Sequence, residues 1–264
     1  MTSRDDSPSE REVELNGYPC RVLEKGAGEL LGFLPGAPGL VHWTPFLDRL
    51  SARRRVIVPS LPGFLGANGH LELDDTLDWI AATLELLGAA GLDGADLVAA
   101  SVSGMLAAEV AALSRASVRR LVLIDSYGLC DESEPPTDVF ATPAAELPSL
   151  LSADPPKLAA YMAPPTDTAE AEEFQMLLYR AQEAAARLTW PMGDRGLAKR
   201  LHRITAPTLL IWGAEDRVVP ASYAKRFADA IAGPTQVRSI AGAGHLAEID
   251  APDEVAAAIE AFLG

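Results

Sequence analysis

The chain has 264 residues, of which 48% are hydrophobic, and this is enough for one large domain with a sizeable buried core. Its formal net charge of −15 and its isoelectric point near 4.6 oppose contact with phosphate backbones and anionic lipid surfaces, so we expect no nucleic acid and no membrane as a partner. Its two cysteines, Cys20 and Cys130, have no metal-ligand spacing, which argues against a disulfide framework or a zinc site.

The beginning of the chain, MTSRDDSPSEREVE, is polar and charged where a signal peptide would be hydrophobic. No window approaches the roughly eighteen consecutive apolar residues that a membrane span needs. We therefore expect a soluble, cytoplasmic protein. Residues 1–10 have the charge and the serine and proline content of a disordered tail.

The first predicted elements are two short strands, in VELNG and YPCRVLE, that turn at Asn16-Gly17. ELLGFLPGAPGL then predicts a buried strand that ends in a Gly/Pro loop, and RRRVIVPSLPGF predicts a second strand of the same kind. HWTPFLDRLSA, between these strands, has the pattern of a short amphipathic helix. DDTLDWIAATLELLGAAG, after them, predicts a longer helix with Asp ahead of its first turn.

The alternation of strand and helix continues through the middle of the chain. ADLVAA predicts a short buried strand, MLAAEVAALSRA a helix and VRRLVLID another strand. After an interruption, the same alternation returns with PTLLIW, ASYAKRFADAIAG, TQVRSIAG and PDEVAAAIEAFL. This order predicts an α/β fold with parallel crossovers.

The interruption begins at about Leu129. Residues 131–194 hold twelve Asp or Glu against three basic residues, so most of the net negative charge lies there. DESEPPTDVFATPAAELPSLLSADPP is acidic and proline-rich, and AEAEEFQMLLYRAQEAAARLTW predicts one long helix. We therefore predict a first core part, an inserted helical cap and a second core part, at residues 1–128, 129–200 and 201–264.

Ser101 is the candidate nucleophile. It follows the strand DLVAA and precedes a helix, and its neighbours two positions away, Ala99 and Ser103, are small, as a sharp turn with a crowded backbone requires. Ser103 is the alternative nucleophile, but centring the turn on it puts Met105 in one of the small positions. We therefore favour Ser101.

Two further residues complete a candidate site, because a serine needs a histidine to accept its proton and that histidine needs a carboxylate to orient it. Asp216 lies just past the strand TLLIW in GAEDRVVP, and His245 follows the last strand in AGAGHLAEI. Asp125, at the end of VRRLVLID, is the alternative acid. Three other histidines have no comparable motif: His42, His70 and His202.

These motifs resemble the α/β-hydrolase fold superfamily in their Ser, Asp, His order and in their strand contexts, over nearly the whole chain. The resemblance also covers LHRITAPTLLIWGAEDRVVP and the GAGH box. It implies a mostly parallel, eight-stranded sheet flanked by helices, with a helical cap inserted after the sixth strand. It also implies a triad without a cofactor or metal: Ser101, Asp216 and His245.

The sequence departs from this family in two places. The usual Gly-x-Ser-x-Gly is AASVS at residues 99–103, so other small residues replace both glycines. The family's His-Gly before the oxyanion loop is Pro35-Gly36. By resemblance, the oxyanion hole would consist of the backbone amides of Ala37 and Val102.

The resemblance implies a serine hydrolase that cleaves a small to medium apolar ester through an acyl-enzyme. Ser101 would attack the carbonyl, His245 would accept its proton and pass it to the leaving group, and Asp216 would orient His245. The expected partner is a small-molecule substrate. A homodimer is one possible assembly, and the sequence does not fix it. Three apolar residues of the predicted cap are candidate substrate contacts: Phe174, Trp190 and Met192.

Two alternative functions stay open. One is carbon–carbon bond hydrolysis of the ring-cleavage-product type, which acts on anionic dienoates with the same triad. Leu246 stands where that branch tends to carry Trp, and the basic residues of the cap are few, chiefly Arg180 and Arg187. The other alternative is a non-catalytic, hydrolase-like protein that binds a small apolar ligand.

Overall fold

One eight-stranded sheet runs through residues 7–264, the part of the chain that the computed structural model describes. The strand order across the sheet is β1-β2-β4-β3-β5-β6-β7-β8. The pairs β1·β2 and β2·β4 are antiparallel and the others are parallel, which confirms the predicted mostly parallel α/β sheet. The strands are β1 (Ser9–Leu15), β2 (Tyr18–Lys25), β3 (Leu30–Leu34), β4 (Arg55–Pro59), β5 (Ala95–Ala100), β6 (Val118–Ile124), β7 (Thr208–Gly213) and β8 (Thr235–Ile240).

Helices connect the parallel strands and cover both faces of the sheet. They are α1 (Pro45–Ser51), α2 (Thr76–Ala90), α3 (Ser101–Leu113), α4 (Leu147–Leu151), α5 (Pro155–Tyr161), α6 (Thr168–Thr189), α7 (Ser222–Ala230), α8 (Ala247–Asp250) and α9 (Pro252–Leu263). Short 3₁₀ turns lie at His70–Glu72, Leu197–Lys199 and Leu201–Arg203. Among the helices of residues 7–264, none is long and apolar enough to span a bilayer.

The predicted hairpin is confirmed, but it begins earlier than the sequence indicates. Asn16 and Gly17 both have positive φ angles, 51° and 83°, as the tight turn between β1 and β2 requires. Ser9 and Glu10, which the sequence assigns to a disordered tail, pair with β2 instead. The correction has a physical cause, since the partner strand supplies hydrogen bonds that local composition does not reveal. Residues 1–6 of the predicted tail lie outside the described residues.

The core lies on both faces of the central parallel strands. Side chains alternate along β5, so that Leu97 and Ala99 face the layer of α2, α3 and α7, whereas Val98 faces the layer of α1 and α9. All of β5 is buried, as the sequence of a central parallel strand predicts. This rigid sheet fixes the positions of the loops that follow its strands.

The segment between β6 and β7, residues 125–207, carries α4, α5 and α6. It is tied to the loop around α8 through Asp250, whose carboxylate accepts hydrogen bonds from Ser152 Oγ and from the backbone N–H of Ala153. Its α5 is also tied to the loop after β3, because the Tyr161 hydroxyl accepts a hydrogen bond from the Val41 N–H at 3.1 Å. These contacts join the helices of the segment to the edge of the sheet where the parallel strands end.

Candidate active site

Ser101 lies at the sharp junction between β5 and α3. Its φ of 53° is in the left-handed region, which is uncommon for a residue other than glycine and indicates a conformation held by its surroundings. The helix begins at Ser101 itself and not at Met105, where the apolar spacing predicts its start. The chain changes from strand to helix at this one residue. The Ser101 side chain therefore lies at the end of β5 and does not pack against the rest of α3.

The residues around this turn have no room for larger side chains. A Cβ at Gly36, in the loop after β3, would lie 2.8 Å from the Ser101 Cβ. A Cβ at Gly104 would lie 2.5 Å from the Ser126 Oγ. Ala99 and Ser103 are fully buried. Small residues at 99 and 103 therefore meet the steric demand of the turn without the two glycines of the usual motif.

Three sequence-predicted residues meet at the end of the sheet. Ser101 Oγ lies 2.8 Å from His245 Nε2, and His245 Nδ1 lies 3.0 Å from Asp216 Oδ2. The other carboxylate oxygen of Asp216 accepts the backbone N–H groups of Val218 and Val219 at 2.8 and 3.0 Å. The side chains of His245 and Asp216 are 2% and 0% exposed, so the loop itself holds the acid and water does not compete for it.

Asp125, the alternative acid, has a different set of contacts. Its two carboxylate oxygens accept the backbone N–H of Gly213, at 2.7 Å, and of Ala247, at 3.2 Å. It therefore links the end of β7, which leads to Asp216, with the residues just after His245. Burial raises the pKa of Asp125 well above its usual value, and the negative charge of Asp216 raises it further.

Tyr127 is a site residue that the sequence analysis missed. Its ring contacts the His245 imidazole edge to face, with the ring centroids 5.5 Å apart, and its N–H donates to the Ser101 carbonyl at 3.1 Å. It is the third residue after β6, in IDSY, and this position near a strand end is the one sequence signal that could have identified it. The ring limits the orientations that His245 can adopt.

The two amides predicted to form the oxyanion hole lie on separate elements. Val102 is in the first turn of α3, where backbone N–H groups have no partner within the helix. Ala37 lies in the loop after β3, next to Gly36, which is so near Ser101 that a Cβ at Gly36 would lie 2.8 Å from the Ser101 Cβ. Within residues 7–264, neither amide donates a hydrogen bond to another residue, so both are free to donate to a ligand.

Ser103, the alternative nucleophile, has its hydroxyl in another hydrogen bond. Ser103 Oγ donates to the carbonyl oxygen of Pro35 at 2.6 Å, and the residue is fully buried. It faces the loop after β3 and not His245. The register that places Ser101 at the centre of the turn therefore agrees with the geometry.

A pocket adjoins Tyr127 under the segment between β6 and β7. Three of its lining residues are Met105, Tyr127 and Met192, and it also contains Arg195, whose buried Nε has no hydrogen-bond partner. Of the predicted substrate contacts, Met192 lines this pocket, whereas Phe174 and Trp190 do not. Trp190 is 56% exposed. The remaining lining residues are Gly128, Leu129, Cys130, Pro136, Thr189 and Gly193.

The two arginines noted in the sequence of the predicted cap have protein partners. Arg180 donates to the side chain of Asn68, and Arg187 donates to the carbonyls of Leu71 and Leu73 at 3.4 Å. Both therefore attach α6 to residues 68–73. Arg195, which the sequence analysis did not consider, is the arginine beside Tyr127.

Glu248 is a buried carboxyl group three residues after His245, and the sequence analysis missed it. The side-chain oxygen Oε2 has no hydrogen-bond partner among the described residues. Burial raises the pKa of Glu248 to about 7, although the electrostatic interaction with His245 lowers it in part. Nothing in the local sequence distinguishes this residue from an exposed glutamate, because only the packing of α8 buries it.

Comparison with known proteins gives consistent matches over most of the chain. Residues 33–258 match the model of the alpha/beta hydrolase family. The chain is 28% identical to a 2-hydroxy-6-oxo-2,4-heptadienoate hydrolase of Pseudomonas putida, over 91% of each chain, and 30% identical to a 2-hydroxymuconate semialdehyde hydrolase of Pseudomonas putida, over 100% of this chain and 97% of that protein. A solved serine hydrolase involved in carbazole degradation, the CarC enzyme, superposes with a TM-score of 0.77 at 24% identity, over 97% of this chain and 99% of that one.

Proposed function

This chain belongs to the alpha/beta hydrolase family, and we propose that it is a serine hydrolase that cleaves a small to medium apolar ester through an acyl-enzyme. One observation carries the proposal. Ser101, His245 and Asp216 form a continuous series of hydrogen bonds, of 2.8 and 3.0 Å, at a strained turn after a buried strand. This is the geometry that converts a serine hydroxyl into a nucleophile.

The first chemical step follows from these distances. Ser101 Oγ attacks the ester carbonyl carbon while His245 Nε2 accepts its proton, and Asp216 stabilises the imidazolium that forms. His245 then donates this proton to the leaving alcohol. A water molecule repeats the sequence on the acyl-enzyme, with His245 as its base, and releases the acid and Ser101.

The negative charge of the tetrahedral intermediate needs donors that are already in place. We assign this role to the N–H groups of Val102 and Ala37, which have no other partner in residues 7–264. Losing one such donor typically lowers the rate about 10²- to 10³-fold. No cofactor has a part in this scheme.

The surroundings of the triad favour an uncharged substrate. Met105, Tyr127 and Met192 give apolar walls to the pocket that adjoins Tyr127, although the three triad residues are not among the described residues that line it. The carboxyl groups of Asp125 and Glu248 are buried close to the triad, where burial raises their pKa values and favours their neutral forms, so neither group offers a positive charge to an anionic substrate. We further propose that residues 129–200 act as a cap, with Met192 as a substrate contact; Phe174 and Trp190 lie outside the lining of this pocket.

Carbon–carbon bond hydrolysis of a dienoate is the second candidate. The two curated relatives are named for a heptadienoate and for a muconate semialdehyde. Arg195 supports this alternative, since it is the one cationic residue among the described residues that line the pocket beside Tyr127, and its guanidinium is a candidate partner for a substrate carboxylate. In that case the same triad would cleave the bond beside a ketone.

A comparison of two substrates separates these candidates. Purified protein is assayed with p-nitrophenyl butyrate and with 2-hydroxy-6-oxohepta-2,4-dienoate, with Ser101→Ala as the control for background hydrolysis. We expect the higher kcat/KM with the ester and none with Ser101→Ala. A higher kcat/KM with the dienoate would establish the second candidate, and Arg195→Ala should then raise the KM for that substrate. No turnover of either substrate would contradict both.

A further inference from the structure

The hydrogen bond from Ser103 to Pro35 joins two parts of the site that are far apart in sequence. Ser103 lies in α3, two residues after Ser101, and Pro35 directly follows β3. The donor Oγ and the acceptor carbonyl oxygen are 2.6 Å apart, and both residues are buried. The bond therefore connects the helix that begins with the nucleophile to residues 35–39, which we call the oxyanion loop.

The other hydrogen bonds of the oxyanion loop hold its far end. The Gly39 N–H donates to the Gly36 carbonyl at 2.7 Å, which closes the loop on itself. The Leu65 N–H donates to the Pro38 carbonyl at 2.9 Å, which attaches the loop to the segment after β4. Neither bond reaches α3. Among the described residues, the Ser103 hydroxyl is the side chain that ties the loop to that helix.

Fixing the Pro35 carbonyl also fixes the direction of the amide that follows it, that of Gly36. The peptide unit between Pro35 and Gly36 is planar, so the orientation of its C=O sets the orientation of its N–H. Gly36 already contacts Ser101, where a Cβ would come within 2.8 Å. The Ala37 N–H belongs to the next peptide unit, whose Gly36 carbonyl accepts the Gly39 N–H at 2.7 Å, so the two hydrogen bonds together hold the Ala37 amide relative to α3.

We propose that Ser103 is a positioning residue that holds the two halves of the oxyanion hole, the amides of Ala37 and Val102, at a fixed separation. This inference rests on the proposed function. Val102 lies beside Ser103 on α3, and Ala37 lies on the loop that Ser103 holds, so one hydroxyl links both donors. A glycine at position 103, as in the usual motif, has no side chain to make this link.

The test is the variant Ser103→Ala, with Thr83→Val as a matched control. Thr83 is also fully buried, and its hydroxyl donates to the Trp79 carbonyl at 2.7 Å within α2, so this control loses a buried hydroxyl elsewhere in the protein. Two quantities are measured with each variant: kcat and KM for p-nitrophenyl butyrate, and the affinity for an alkyl trifluoromethyl ketone. The ketone forms a tetrahedral adduct with the nucleophile and so reports on the oxyanion hole.

We expect Ser103→Ala to lower kcat by about tenfold to a hundredfold, with KM changed less than about threefold, because the oxyanion forms only after binding. The affinity for the ketone should fall by a similar factor. Thr83→Val should leave both quantities at the wild-type level. Ser103→Gly, which restores the residue of the usual motif, provides a second variant without the hydroxyl in case Ser103→Ala does not fold.

Wild-type kcat and ketone affinity in either folded Ser103 variant would overturn the inference, and so would a rise in KM alone. Such a result leaves the proposed function intact, since the wild-type enzyme is active in the same assay. If the wild-type protein neither turns over the ester nor binds the ketone, the proposed function fails and the inference fails with it.

Discussion

Ser101 and Ser103 are two residues apart, yet their hydroxyls have different environments. The Ser101 hydroxyl contacts His245 and the Ser103 hydroxyl contacts the Pro35 carbonyl. The left-handed φ of Ser101 separates them, because it turns the Ser101 side chain away from the helix while Ser103 stays in the first turn of α3. The motif AASVS thus places a candidate nucleophile and a loop-holding hydroxyl on a single turn of helix.

Glu248 gives a prediction at the residue scale. A carboxyl whose pKa is raised in the folded protein from 4.5 to about 7 binds more protons than in the unfolded chain. Its stabilising contribution is therefore present below about pH 4.5 and is lost as the pH rises to about 7. Glu248→Gln removes this loss, and we expect it to raise the free energy of unfolding at about pH 8 by up to about 3 kcal/mol.

Urea unfolding at about pH 5 and about pH 8 measures this effect, since the gain should shrink at the lower pH. Glu254→Gln is the matched control, because it removes an exposed carboxylate of α9. The prediction is wrong if Glu248→Gln destabilises the protein at both pH values, or if the two variants behave alike.

At the scale of elements, the candidate catalytic residues could be predicted from the sequence because each of them lies just after a strand. Parallel strands place their carboxyl ends at one edge of the sheet, so residues directly after strands come together there. Ser101, Asp216 and His245 follow β5, β7 and β8, and the structure brings all three within hydrogen-bonding distance. The local sequence pattern and the topology of the sheet were therefore enough to predict that these three residues lie close together.

Other parts of the elements depend on tertiary contacts that no local pattern shows. Prolines lie in the first turns of α4 and α5, in a stretch for which the sequence analysis gave no individual helices and noted only its acidic and proline-rich composition. The role of Tyr127 depends on the contact of its ring with His245. The raised pKa of Glu248 depends on its burial, because it lies on the buried side of α8. The position of Arg195 in the pocket beside Tyr127 follows from the tertiary structure, and its local sequence does not indicate it.

At the scale of the whole molecule, the two edges of the sheet have separate roles. The edge where parallel strands end carries the candidate site. The opposite edge carries Asp96, near the beginning of β5, which is fully buried and accepts paired hydrogen bonds from Arg119 and Arg120. Burial alone would raise the pKa of Asp96, but these hydrogen bonds hold it below its usual value.

This division predicts that stability and activity can be changed independently. Asp96 stabilises the fold above its unfolded pKa of about 3.8, and this contribution is lost as the pH falls through its lower folded pKa. Asp96→Asn leaves two arginines without their buried partner, but both are partly exposed and also contact Glu29, so we expect a loss of about 1–3 kcal/mol in the free energy of unfolding at about pH 7. The kcat of the folded variant should match wild type, because the substitution is at the far edge of the sheet.

Asp93→Asn is the control for this substitution, since it neutralises an exposed aspartate three residues earlier in the chain. Urea unfolding and ester turnover are measured on both variants. Equal unfolding free energies for the two variants, or a large fall in kcat for Asp96→Asn under conditions where it is folded, would contradict the division.

Covalent labelling by an organophosphonate, followed by peptide mapping, tests the central claim most directly. The reagent reacts with a serine only when a neighbouring base activates it, and it needs no knowledge of the natural substrate. We predict one adduct per chain, on Ser101, which Ser101→Ala abolishes and His245→Ala slows strongly. An adduct on Ser103 in the wild-type protein, or no adduct at all, would contradict the account.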